Sequence, residues 1–445
     1  MSHSRRRFLG SLVPNLALLR AMGDEGWPVP WWGEPRPRLS PDPSTWRRHF
    51  PALDQRVNGR PLVYFDSAAT AQRPRPVIDA LSEFYTRDNA NPAATLHTLA
   101  RRADAAFQTA RTIVARFINA ADPLEIVWTR GTTEAINLVA TAWGGAELRP
   151  GDEIVLTVAE HASAMLPWQL AARRAGATIR YLDVDDEGRL DPAGLDRLLS
   201  SRTRLVCFTH VSNVTGAITP ARELCRRARS AGARVMIDAA QSVPHFPVDV
   251  QELGCDFLAF SGHKVMGPMG TGVLWARREL LDAMPPYQAG SNAAHAVGFD
   301  SAEWGPGGLR FGAGTPNAAG AIGLAAAVVF LQAIGLEAMW RHEQQLVGAM
   351  LQGFGSLSGL RLLGPANATD RISLFSFHSP AEEPLALVRR LDRQGIAIRA
   401  GDLASLPLLR RFGVDRAARA SLYLYNSVAE VNSLFRVLGE SRGGR

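Results

Sequence analysis

Lysine is all but missing from this chain. One residue, Lys264, stands among the 49 lysines and arginines of the 445-residue sequence, so the basic excess is arginine. Arginine stays protonated and does not serve as an amine nucleophile, whereas lysine does. A bias against lysine explains its scarcity, but not why the survivor lies in Ser261-Gly262-His263-Lys264. Cysteine is scarce as well. Cys207, Cys225 and Cys255 show no CxxC spacing, which excludes a zinc or redox-pair site of that type, and no metal site is expected. Cys207 and Cys255 lie in apolar runs and read as small core residues. Long blocks of positive charge are also absent. The net charge of +7 is scattered as arginine pairs (Arg101/Arg102, Arg226/Arg227, Arg389/Arg390). That pattern reads as a solvated surface and not as a nucleic-acid footprint.

What is present near the start is Arg5-Arg6-Arg7-Phe8-Leu9-Gly10, which resembles a twin-arginine export signal. The apolar stretch behind it, residues 11–19, is far too short for the roughly 20 residues that cross a bilayer. No stable membrane insertion is expected, and no A-x-A cleavage site appears. Residues 1–23 are therefore read as a signal for periplasmic export, with a cytoplasmic location as the alternative. Residues 24–58, rich in Pro and Trp at first, read as a linker or surface strap and an N-terminal segment expected to pack on the C-terminal unit, with ordered sequence beginning near Trp46.

From residue 60 short apolar runs alternate with longer amphipathic ones. Strands are expected at 125–129, 153–158, 178–182, 204–209, 234–237, 257–260 and 272–276, with helices at 133–143 and 166–175. Such alternation implies a βαβ-rich, mostly parallel sheet of seven strands over residues 59–318. Ligands of such sheets sit beyond the carboxyl ends of the strands. Residues 319–440 change character: long helices at 319–334 and 339–354, a strand at 371–377, a helix at 383–394 and a strand at 396–399 read as a smaller α+β unit.

Four segments carry chemistry. In Thr129-Arg130-Gly131-Thr132-Thr133-Glu134 a strand runs into a turn that opens a helix, where free N–H groups and two hydroxyls favour an anion. A simple capped helix start gives the same pattern. Asp238 ends an apolar strand, with Gln241 three residues on. A buried carboxylate there needs a partner, and a protonated pyridine nitrogen is one; an N-cap role is the alternative. The strand ending at Phe260 delivers Ser261, His263 and Lys264 together, two phosphate contacts and an amine whose pKa falls if desolvated. His161, in Ala159-Glu160-His161, is placed to stack on a ring or move protons, with a purely structural histidine as the alternative.

The order of these segments, with Tyr64-Phe65-Asp66-Ser67-Ala68-Ala69, Thr209-His210-Val211-Ser212-Asn213, Ala313-Gly314-Thr315-Pro316-Asn317 and Arg419-Ala420-Ser421-Leu422, resembles fold-type I pyridoxal 5′-phosphate (PLP) enzymes of aminotransferase class V. The group II cysteine desulfurases and selenocysteine lyases are the most similar branch. The resemblance implies PLP as cofactor, Lys264 as the Schiff-base lysine, His161 stacked on the ring, Asp238 on the pyridine nitrogen and Gln241 on the ring oxygen. Thr132, Thr133, Ser261 and His263 would hold the phosphate. Thr315 would reach the phosphate of a neighbouring subunit, so a homodimer is implied. Asn213 would lie near the substrate, and Arg419 would grip its α-carboxylate.

Two departures stand out. The family's sulfur-accepting cysteine falls at Ala404 in Ala400-Gly401-Asp402-Leu403-Ala404-Ser405-Leu406-Pro407-Leu408, with Asp402 and Ser405 as the nearby polar groups. A His-Arg-Gly that precedes a His-Thr pair in the family is replaced by Asn91-Pro92-Ala93-Ala94-Thr95-Leu96-His97-Thr98. With the export-like start, these changes favour a PLP enzyme acting at the α-carbon of an amino-acid or short-peptide amine. The expected reaction is the siderophore-tailoring oxidative decarboxylation of a glutamyl residue, or transamination. The second reading is a cysteine desulfurase or selenocysteine lyase; the third is a non-catalytic PLP-binding relative.

Overall fold

The computed structural model describes residues 33–34, 38–93, 96–440. The export-signal expectation lies outside the described residues, as do Ala94 and Thr95. Among the described residues no single helix is long and apolar enough to cross a membrane.

The larger unit is built on seven strands: β1 (Ile126–Thr129), β2 (Glu153–Thr157), β3 (Thr178–Leu182), β4 (Thr203–Thr209), β5 (Arg234–Asp238), β6 (Phe257–Ser261) and β7 (Gly272–Ala276). Their order across the sheet is β1-β7-β6-β5-β4-β2-β3. Strands β2 to β6 pair in parallel, and β7 runs antiparallel to both β6 and β1. The sheet is thus mixed, parallel but for one strand. Parallel strands covered on both faces carry continuous apolar runs rather than alternation; β2, β6 and β7 are buried at every position.

Helices α1 (Arg75–Arg87) and α2 (Thr98–Phe117) pack on α6 (Ala318–Ile334). Helix α6 is buried everywhere except Gln332. Its sequence places it at the head of the smaller unit, yet it packs into the core of the larger one. A helix apolar on all sides needs partners all round, and the larger unit supplies them. Helices α3 (Thr132–Glu147) and α4 (Ala162–Ala175) pack on each other and cover part of the sheet. Both begin before their sequence-expected starts: α3 at Thr132, directly after Gly131, and α4 at Ala162, capped by His161, whose Nδ1 accepts from the Ser163 N–H at 3.1 Å.

The smaller unit has an antiparallel sheet of β8 (Arg361–Leu363), β9 (Leu374–His378), β10 (Arg399–Gly401) and β11 (Ala417–Ser421), ordered β8-β9-β11-β10. Helices α7 (Leu336–Ser356), α8 (Pro384–Asp392) and α9 (Val428–Glu440) surround it. Arg371, fully buried, ties the two units. Its guanidinium donates to the carbonyls of Pro365, Thr215 and Leu374 and lies over the Phe375 ring. Three carbonyl acceptors offset the desolvation that burying a cation costs. The strap is ordered ahead of Trp46, because the Leu39 N–H already bonds to Ala333 O at 2.8 Å. Trp46 and Phe50 are fully buried rather than superficial, against α6 and the Tyr425 ring.

Candidate active site

The carboxyl ends of β1, β2, β4, β5 and β6 point to one side of the sheet, and the antiparallel β7 brings its amino end there. A cavity of about 390 Å³ opens at this edge. Lys264, His161, Asp238, Gln241, Thr132, Thr133, Ser261, His263, Asn213 and Arg419 all line it. Thr315 does not. It is exposed, with Asn91 Nδ2 at 3.4 Å from its Oγ1.

One end of the cavity is a cup of donors. Gly131 provides no side-chain cap for the sixteen-residue α3. The Thr132 N–H donates to Ser261 Oγ at 2.9 Å, the Thr132 and Ser261 hydroxyls share a hydrogen bond of 2.8 Å, and those of Thr133 and Ser163 share another of 2.8 Å. These hydroxyls rotate freely, so with the free end of the helix they suit a phosphate. The cup is closed from below by β7: a Cβ on Gly272 would fall 2.3 Å from Gly131 Cα, so only glycine lets the two segments meet.

At the centre, Asp238 is buried, and its Oδ1 accepts the Ala240 N–H at 2.9 Å. Burial pushes its carboxyl up, while Lys264 and the Ala240 N–H hold it down. A cation facing it stabilises the charged form, which is what a pyridinium nitrogen does. Lys264 is lowered to about 8, chiefly by burial; Asp238 pulls it up and Arg419 pushes it down. His161 is lowered to about 4 by burial first, then by Lys264 and Arg419, and is neutral at pH 7. Gln241 is anchored by a bond from Nε2 to Ala68 O at 2.9 Å. Anion cup, buried carboxylate and an amine of lowered pKa together fit PLP, with its phosphate, its ring nitrogen and its aldehyde answered in turn.

The opposite end is cationic. Arg419, buried, donates to Asn213 O at 2.9 Å, and its Nη2 lies 3.5 Å from Asp66 Oδ1. Arg399, which lines the same cavity, grips Asp66 with contacts of 3.1 Å to each carboxylate oxygen. Sequence reading missed Arg399 and Ser163, although one immediately precedes the altered loop and the other follows His161 by two residues. It also quoted Glu160 only as part of a motif. Glu160 is fully buried, accepts from Thr157 Oγ1 and the Thr209 N–H through Oε1, and leaves Oε2 without a partner among the described residues.

The loop at 401–405 forms one wall. Leu403 and Ala404 both have φ of +53°. Non-glycine residues in this region cost energy and persist where neighbours enforce them. Here Asn213 Nδ2 donates to Leu403 O at 2.8 Å, the Ala162 N–H to Ala404 O at 2.7 Å, and Ser405 Oγ to Asn213 Oδ1 at 3.0 Å. No cysteine is among the residues lining the cavity. Cys207, Cys225 and Cys255 are free thiols buried in the core, each pushed up in pKa, chiefly by burial.

The family model for aminotransferase class V matches residues 63–434. This chain belongs to that family. It is 47% identical over 388 residues to a cysteine desulfurase of Synechococcus elongatus, a match spanning 87% of this chain and 62% of that protein. It is 44% identical to a probable cysteine desulfurase of Synechocystis, covering 89% and 94% of the two chains. The fold matches the cysteine desulfurase CsdA (S-sulfonic acid) from Escherichia coli with a TM-score of 0.83 at 37% identity, over 90% of this chain and 98% of that one. A second structure, a C-DES mutant with glycine covalently linked to the PLP cofactor, matches at a TM-score of 0.75 and 26% identity, over 88% and 98%. The chain is a PLP-dependent, cysteine desulfurase-like enzyme of fold type I. These relatives overturn the expectation of a siderophore-tailoring decarboxylase or aminotransferase. Proteins 42–47% identical over nearly 90% of this chain carry the desulfurase name, so the second sequence reading is the one supported.

Proposed function

We propose that this protein breaks the Cβ–S or Cβ–Se bond of a small α-amino acid, L-cysteine or L-selenocysteine, and that it does so without a thiol of its own in the site. The observation that carries this reading is the cavity itself. About 390 Å³, lined by Lys264, Asp238, His161 and Arg419 but by no cysteine, suits a free amino acid.

PLP, when bound, supplies an electron sink that weakens bonds at the substrate's α-carbon. Thr132, Thr133, Ser261 and His263 would hold its phosphate, Asp238 its ring nitrogen and Gln241 its ring oxygen. Arg419 fixes the substrate's α-carboxylate through its planar fork. Lys264, neutral in a useful fraction near pH 7, removes the proton from the α-carbon; protons delivered to Cβ and back to the α-carbon complete alanine. His161 is uncharged at that pH; it would present a flat ring to the cofactor, and its Nε2–H is the donor, because Nδ1 accepts the Ser163 N–H. The departing chalcogen leaves its Cβ bonding pair on carbon, either as the neutral element or by moving to an external thiol as a persulfide or its selenium counterpart.

The test is to supply L-cysteine or L-selenocysteine with dithiothreitol and to measure alanine with sulfide or selenide. Alanine formation without protein-bound persulfide is expected. No alanine from either donor would overturn the proposal. We further propose that the enzyme works as a homodimer, because Thr315 lies exposed outside its own cavity, beside a hairpin carrying exposed Val297 and Phe299; sedimentation of a monomer only would refute it. Periplasmic export by the twin-arginine route remains a proposal resting on residues 5–19, and cell fractionation tests it.

A further inference from the structure

The loop that bears Ala404 has a second side. There a recess of about 470 Å³ is lined by Leu385, Gly401, Asp402, Leu406, Arg410, Asp415 and Arg416. Gly401 and Asp402 line the active cavity as well, so the two spaces abut at this loop. The loop is pinned by Asn213, Ala162 and its own Asx turn, in which the Ala404 N–H donates to Asp402 Oδ1 at 3.1 Å. A pinned loop does not carry sulfur outward, and Ala404 has no group to carry it. An acceptor must therefore come in.

The charges around the recess describe that acceptor. Arg410 Nε and Asp415 Oδ1 pair at 3.0 Å and cancel each other. That leaves the exposed Arg416 guanidinium with no ion-pair partner among the described residues, and the exposed Asp402 carboxylate with Oδ2 unengaged. A free cation and a free anion on one small recess complement a zwitterion, the carboxylate toward Arg416 and the ammonium toward Asp402.

We propose that this recess binds a zwitterionic amino thiol, of which free cysteine is the simplest, as the acceptor of the sulfur. This rests on the desulfurase reading of the adjoining cavity. The acceptor's thiolate attacks the donor's sulfur and forms an S–S bond. The Cβ–S bond breaks with its electron pair left on carbon, and a proton delivered to Cβ completes alanine. Of the two thiol protons at the start, one ends on Cβ and the other on the persulfide. The overall change is donor cysteine plus RSH to alanine plus RSSH, with no further oxidant or reductant.

The experiment follows alanine released from isotopically labelled L-cysteine, with homocysteine, cysteamine, 3-mercaptopropionate or dithiothreitol in excess at equal thiolate concentration. Persulfides are trapped by alkylation and identified by mass spectrometry. Homocysteine is expected to be the best acceptor, exceeding cysteamine and 3-mercaptopropionate by about fivefold each, the upper end for one exposed charge pair. Arg416→Gln should abolish the preference over cysteamine and keep that over 3-mercaptopropionate; Asp402→Asn should do the reverse. Equal acceleration by all four thiols, or a preference unmoved by Arg416→Gln, overturns the inference while leaving the desulfurase reading intact. Absence of alanine with every thiol, and from L-selenocysteine, sinks that reading itself.

Discussion

Strip the cofactor from the protein, add PLP back, and vary the pH. An ordinary lysine with a pKa of 10.5 is neutral in about one molecule in 3,000 at pH 7, whereas one at about 8 is neutral in about one in ten. The desolvation at Lys264 is therefore worth roughly 300-fold in the amine form that captures an aldehyde. Capture, read by borohydride trapping and peptide mapping, should rise about tenfold per pH unit from 6 to 7.5, bend near 8 and then level off. The sign of the Asp238 effect follows from the same geometry. The carboxylate favours the charged amine and raises its pKa, so Asp238→Asn should move the bend to lower pH even as the cofactor is held more weakly. A capture rate that still climbs tenfold per unit through pH 9.5, or label at a residue other than Lys264, would refute the reasoning.

Ala404→Cys should place a thiol in the cavity wall without new backbone strain, because alanine already occupies that left-handed position. Roughly one cyanide-labile sulfur per protomer should then accumulate with L-cysteine, and none in the parent; no bound sulfur in the variant would show that Ala404 does not face the departing atom. Gly272→Ala drives a methyl into Gly131, at 2.3 Å from its Cα. It should lower stability by about 1–3 kcal/mol and weaken PLP retention, both read by thermal melts with and without cofactor. Arg419→Lys keeps the charge but loses the planar fork and its bond to Asn213. The loss of a charged hydrogen bond, roughly 1.5–3 kcal/mol, predicts a KM for the amino acid about 10- to 100-fold higher, and an unchanged KM would remove Arg419 from the carboxylate site.

The sequence by itself determined the cofactor chemistry and the outline of the fold. Asp238 and Ser261 each end a strand, and Thr132 and Lys264 lie three residues beyond a strand's end; strand ends are legible from short apolar runs bounded by turn residues. Once the sheet is inferred to be largely parallel, those ends must converge on one edge. Tertiary structure alone decided what meets them there. Arg419 and Asn213, 206 positions apart, share a hydrogen bond that no local spacing encodes. Arg399 and Ser163 entered the cavity from elements with no motif of their own, and Thr315 stayed outside it. The reversal of β7 was equally silent, because an apolar run has no direction; pairing with β1 and β6 gives it one. Even α6 read as the start of a second unit, although its burial belongs to the first. Local propensity and spacing act over a few residues and can be read along the chain. Burial, ion pairing and the desolvation that sets the Lys264 amine near 8 depend on which distant surfaces close over one another, and they exist only after folding.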